Sequence, residues 1–279
     1  MKLWFARLVA ALSFITLAGC ANMAAIQEFG KLSADAAGYT KLADEYASSP
    51  TRNQQYTFAA EKAARDTMVR QAAERRAQVE RLRLLQKTLA AYMSTVADLA
   101  GDEVTSYDTE IGSLTDAAVA QNYISDNDAK AVKSILSIIA SAATDFYRQR
   151  KLREVVEVAN APLQQVVQSM VGIDKAYVES LKTEQDVVVS YYRNMEMKAR
   201  DDKQSALAEQ FFSTGQVKQV EFTDRVAAVN SYSNTLETIG KAHADLYANR
   251  DKISDKEVQR QVRAYVKKIY AGYKAATAK

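Results

Sequence analysis

The residues able to do chemistry are few in this chain. It has one cysteine, Cys20, and one histidine, His243, so a zinc site built from the usual imidazole and thiolate ligands is not expected. None of its nine glycines stands in a Gly-x-Gly, which removes the phosphate-cradling loops that need closely spaced glycines. A Gly-x-Ser-x-Gly nucleophile elbow and a Ser-x-x-Lys pair are also missing. Asp126-Asn127-Asp128 has the start of a calcium loop, but Lys130 stands where the third ligand belongs and the sixth position is not glycine. With Ser125 before them, these short oxygen-bearing side chains read instead as the cap of a helix. His243 lies on the apolar stripe of its helix, where a hydrogen-bonded core or boundary histidine is the ordinary outcome. No catalytic residue, metal site or non-covalent cofactor is expected. A cell-wall hydrolase would need folding to bring two of the scattered carboxylates together around a cleft.

Basic residues are better organised. Lys256, Arg260, Arg263, Lys267 and Lys274 fall within about 60° of one another on a helical projection, and Val258, Val262, Tyr265 and Ile269 gather on nearly the opposite side. A helix of this kind can pack its apolar face on a bundle and turn a row of cations outward. The cations would meet solvent or an anionic surface, such as lipid headgroups, lipopolysaccharide or peptidoglycan. A solvated face is the commoner outcome. Arg148, Arg150, Lys151 and Arg153 form a second group, but Glu154 and Glu157 interrupt it and favour plain solvation.

The sharpest pattern is at the N-terminus. Lys2 and Arg7 precede an apolar run from Leu8 to Leu17, ended by Ala18-Gly19, the layout of a secretory signal with an apolar stretch short of the ~20 residues of a membrane span. Leu17-Ala18-Gly19-Cys20 resembles the lipobox of bacterial lipoproteins. The resemblance implies that residues 1–19 are a cleaved signal peptide, with cleavage between Gly19 and Cys20. It also implies that the Cys20 thiol carries a diacylglyceryl group, and that the new amino group is acylated in turn, palmitate being the usual chain. At about 0.8 kcal/mol per buried methylene, several acyl chains anchor a protein effectively permanently. In Gram-negative lipoproteins an aspartate after the cysteine favours the inner membrane, so Ala21 implies sorting to the outer membrane, on its periplasmic face. Loss of Lys2 and Arg7 leaves 35 basic and 34 acidic side chains, a net charge of +1 against +3 for the whole chain. That balance carries no signal for nucleic acid as a partner.

The elements that hold these residues are helices. Nine glycines and two prolines in 279 residues permit few tight turns, so the expected fold is all-α, an elongated antiparallel bundle of six or seven helices with coiled-coil-like seams. The spacing predicts a helix over 24–48 stopped at Ser48-Ser49-Pro50, with Gly30 and Gly38 as weak points, and a second over 52–100 capped by Thr51 and Gln54. Leu82, Leu85, Leu89, Tyr92, Val96 and Leu99 form the seam of the second. A third helix is expected over 103–121, and a fourth from 126 to 159. Pro162 is expected to kink that helix or to open another reaching residue 199. A flexible corner is expected at Ser213-Thr214-Gly215, then helices over 217–250 and from 255, with Ser254 and Glu257 as a capping box. Residues 20–200 would form the main bundle and 201–279 a hairpin packed on it. These features suit a membrane-anchored periplasmic scaffold or adaptor with an envelope protein as partner. A module binding peptidoglycan or anionic lipid through the basic C-terminal helix is the alternative.

Overall fold

In a computed structural model the residues described are 23–57, 62–101, 124–142 and 148–278. They form an all-α bundle with no strand among them. The helices are α1 (Ala24–Ala37), α2 (Lys41–Gln54), α3 (Lys62–Ala100), α4 (Asp126–Ala142), α5 (Arg148–Asp201), α6 (Ser205–Ala248) and α7 (Lys256–Thr277), with one 3-10 turn, Arg250–Lys252, before α7. The helix expected over 103–121 lies outside the described residues.

The expected first helix is two. Gly38, Tyr39 and Thr40, all weak helix formers, separate α1 from α2, and the Tyr39 ring leaves the helical path to pack 6.1 Å from Tyr232 and 6.0 Å from Tyr273. Pro50 does not stop α2 but lies inside it. A proline has no N–H for the carbonyl four residues back, here that of Tyr46. The Ser49 hydroxyl donates to that carbonyl at 2.9 Å, and Arg52 Nη1 donates to the neighbouring Glu45 carbonyl at 2.8 Å. Thr51 and Gln54 therefore close α2 instead of capping the next helix.

The α3 seam is as expected: Leu82, Leu85, Leu89, Tyr92, Val96 and Leu99 are all buried. Its 39 residues span about 58 Å. The longest helix, α5, runs through Pro162 without a new start. The freed carbonyl is that of Val158, a residue 54% exposed, so water can satisfy it.

The corner expected at Ser213-Thr214-Gly215 falls instead at residues 202–204. Lys203 has φ 59°, and Gln204 N–H donates to the Ala199 carbonyl at 2.8 Å, a left-handed helix stop in which lysine occupies the place usual for glycine. Gly215 is inside α6, where an added Cβ would sit 3.2 Å from the Cβ of Tyr192. Here glycine lets two helices approach closely; it does not break one. Antiparallel α5 and α6 share the most extensive contact of the bundle.

Pairwise contacts set the register of the other helices. Gln27 lies on Gly101, and a Cβ at Gly30 would come within 2.7 Å of the Met93 carbonyl and the Ala97 amide nitrogen, while Gln86 Nε2 donates to the Tyr39 carbonyl at 2.8 Å. So α1 and α3 are antiparallel. Gln86 meets Tyr232, and Tyr92 meets His243, so α6 runs with α3. Asp245 accepts from Gln261 at 2.8 Å and from Tyr265 at 2.5 Å, so α7 turns back along α6. It follows that α7 is parallel to α1, with the start of both at one end of the bundle and the α5–α6 turn toward the other.

Candidate functional site

Gly19 and Cys20, the expected cleavage and lipid-attachment residues, lie outside the described residues. The first described residue is Met23, which is buried, and α1 begins at Ala24. Any chain leading to Cys20 therefore enters the bundle at the end where α7 starts.

The amphipathic reading of α7 holds as geometry. Val258, Val262, Tyr265, Val266 and Ile269 are buried against the bundle, and Lys256, Arg260, Arg263, Lys267 and Lys274 are all exposed. The helix starts at Asp255, which makes no side-chain cap. The expected cap at Ser254 is thus displaced by one residue, and Glu257 pairs with Arg260 at 2.7 Å instead of closing a capping box. Lys256, Arg263, Lys267 and Lys274 take part in no ion pair among the described residues. Beside the stripe, Tyr270 is 57% exposed and lines a groove of about 500 Å³ with Val266 and Lys267 on one wall and Ala24, Glu28 and Asp35 on the other. In the second basic group, Arg150 is exposed, and Lys151 is buried with its ammonium 3.1 Å from Glu154.

Polar groups inside the bundle form pairs that sequence periodicity did not reveal. His243 is fully buried; its Nε2 lies 2.7 Å from the Tyr92 hydroxyl and its Nδ1 lies 3.2 Å from Asn160 Oδ1. An amide oxygen only accepts, so Nδ1 carries the proton and Nε2 accepts from Tyr92. Burial pushes this histidine down to about 3, which keeps it neutral and structural. Asp128, the residue with the look of a calcium ligand, is also buried. Its carboxylate accepts from Arg81 Nε at 2.7 Å and Ser169 at 2.6 Å, and Ser125 caps its backbone N–H at 3.2 Å. Burial raises its pKa, but Ser169, Gln165, Ser125 and Arg81 together outweigh that and hold it below the ordinary carboxylate range. Arg52 grips Glu184 through two bonds of 3.0 Å, joining α2 to α5.

Asp174 differs from these. It is 2% exposed, and its Oδ2 has no hydrogen-bond partner among the described residues. Burial raises it to about 8. Its charge opposes the ionisation of Tyr232, whose hydroxyl accepts from Gln86 Nε2 at 2.9 Å. Among the described residues no group of His, Cys, Asp and Glu could hold a metal ion, and no helix is long and apolar enough to cross a membrane. No family model, curated protein or solved structure matches the chain.

Proposed function

We propose that the protein is a lipoprotein anchored through Cys20 in the periplasmic face of the outer membrane, where its helical bundle acts as a scaffold or adaptor for other envelope proteins. The observation that carries this reading is the lipobox at Leu17–Cys20, which stands immediately before the helical bundle. Tethering is the mechanism: confinement by the acyl chains raises the local concentration of the domain near membrane-bound partners. No chemical step is required.

A partner-facing surface is offered by the α5–α6 hairpin. Along the half of the hairpin that holds its turn, Met197, Phe212, Val217 and Val220 are 45 to 60% exposed, more apolar surface than a helical pair needs to show water. This turn is toward the opposite end from the start of α1, away from the point of attachment at Cys20.

Metabolic labelling with a palmitate analogue tests the anchor: the native chain should incorporate label, and a Cys20→Ser variant should incorporate none and keep residues 1–19. Photo-crosslinkers at 212 and 220 test the adaptor role. Discrete crosslinked envelope proteins are expected, and their absence, together with turnover of a cell-wall substrate by the purified protein, would refute it.

A further inference from the structure

We propose that the face of α7 bearing Lys256, Arg260, Arg263, Lys267 and Tyr270 lies against anionic phospholipid headgroups of the membrane in which the chain is anchored, so that the bundle rests along the bilayer on α7 and the exposed side of α1. This rests on the reading of Cys20 as the lipid-bearing residue.

Met23 is three residue steps beyond Cys20, and extended chain covers at most about 3.6 Å per residue, so the entry to α1 stands within about 11 Å of the acylated residue. The helix register places the start of α7 at that same end. Ala24, in the first turn of α1, lines one groove with Val266, Lys267 and Tyr270. The tether is thus about as long as the Debye length of ~8 to 10 Å at ordinary ionic strength. Cations on this face feel the lipid charge, and those on the far side of the bundle do not.

Charge and side-chain type agree with this placement. Between residues 250 and 274 there are eight Lys and Arg against three Asp and Glu, in a chain that is otherwise close to neutral. The arc of the stripe contains no carboxylate; Glu257 lies to its side and pairs with Arg260. Glu28 and Asp35 are exposed on α1 across the groove and oppose the attraction, with Lys31 between them. The balance remains cationic. Tyr270, at the edge of the stripe and 57% exposed, has the apolar ring and polar tip favoured at headgroup depth. Each cation brought to an anionic surface favours contact by roughly fivefold, so four together favour it by roughly several hundredfold.

The test uses the full lipidated protein reconstituted into vesicles of phosphatidylcholine, with and without phosphatidylglycerol, and pulse-labelled with an amine-acylating reagent read by mass spectrometry. Lys256, Lys267 and Lys274 should label about fivefold or more slowly on the anionic vesicles, and about 0.5 M salt should remove the difference. The exposed Lys133 on α4 and Lys175 on α5 should label equally on both. In the variant Lys256→Gln, Arg260→Gln, Arg263→Gln and Lys267→Gln, whose altered side chains are all exposed, Lys274 should return to the rate seen on neutral vesicles. An acylated chain with equal labelling on both compositions would overturn the docking face alone. An intact mass showing no acyl group on Cys20 would overturn the anchor as well. Protection by isolated sacculi without protection by anionic vesicles would overturn the lipid assignment in favour of a cell-wall polymer.

Discussion

Replacing Asp174 by asparagine should make the protein less stable in acid and more stable near neutrality. The carboxyl is 2% exposed, with Oδ2 unpartnered among the described residues, and burial raises it from 3.8 to about 8. A group that holds its proton more tightly when folded contributes fully below its unfolded pKa, and that contribution is lost as pH rises toward the folded value. Each pH unit between 3.8 and about 8 therefore removes about 1.4 kcal/mol, or about 4 kcal/mol by pH 7. Asparagine does not ionise and is spared this loss, but its amide N–H groups lack acceptors at the Oδ2 position, at a cost of about 1 to 3 kcal/mol at every pH. The two terms cross between about pH 4.5 and 6. Urea unfolding of native and variant protein, followed by far-ultraviolet circular dichroism from pH 4 to 8, gives the difference in stability directly, and other carboxylates cancel in it. A difference that does not change with pH would refute the reasoning.

Gly30→Ala should cost about 1 to 3 kcal/mol, because its Cβ would meet backbone of α3 at 2.7 Å and the helices must part; a lowered thermal midpoint checks this, and an unchanged one would mean that α1 does not pack there. His243 should remain neutral in the folded protein down to about pH 4, with no titration of its ring resonances in NMR. Since burial lowers its pKa to about 3, its contribution is intact above 6.5 and falls by about 1.4 kcal/mol per unit as pH drops from there toward 3. Arg81→Met should destabilise by about 3 kcal/mol, because Asp128 would stay buried and charged with no cation beside it; the loss should shrink in acid, where Asp128 can be protonated.

Several features of this bundle could be read from local spacing because they depend on periodicity within one helix. The α3 seam, the Ser125 cap, the buried His243 and the two faces of α7 all belong to that class. The helix ends were misplaced where a long-range contact overrides local preference. Pro50 signals a stop, yet Ser49 and Arg52 satisfy the carbonyls it disturbs. Gly215 signals a turn, yet it is the point at which α6 meets Tyr192 of α5. The real corner has a lysine at the left-handed position, for which composition offers no cue. Asp174 was likewise indistinguishable from any other acidic residue, since its burial depends on how other helices pack against α5.

Composition and periodicity alone determined that the chain is helical and which faces of its helices are apolar. These follow from interactions a few residues apart, which any chain of this sequence makes. Only the tertiary structure decided that α1 and α7 run parallel, so that the cationic stripe begins where the chain from Cys20 enters. It also decided which polar side chains are matched inside the bundle and that Asp174 Oδ2, among the described residues, is not. The physical reason is that pairing and burial depend on groups tens to hundreds of residues apart, and their meeting is set by the packing of whole helices.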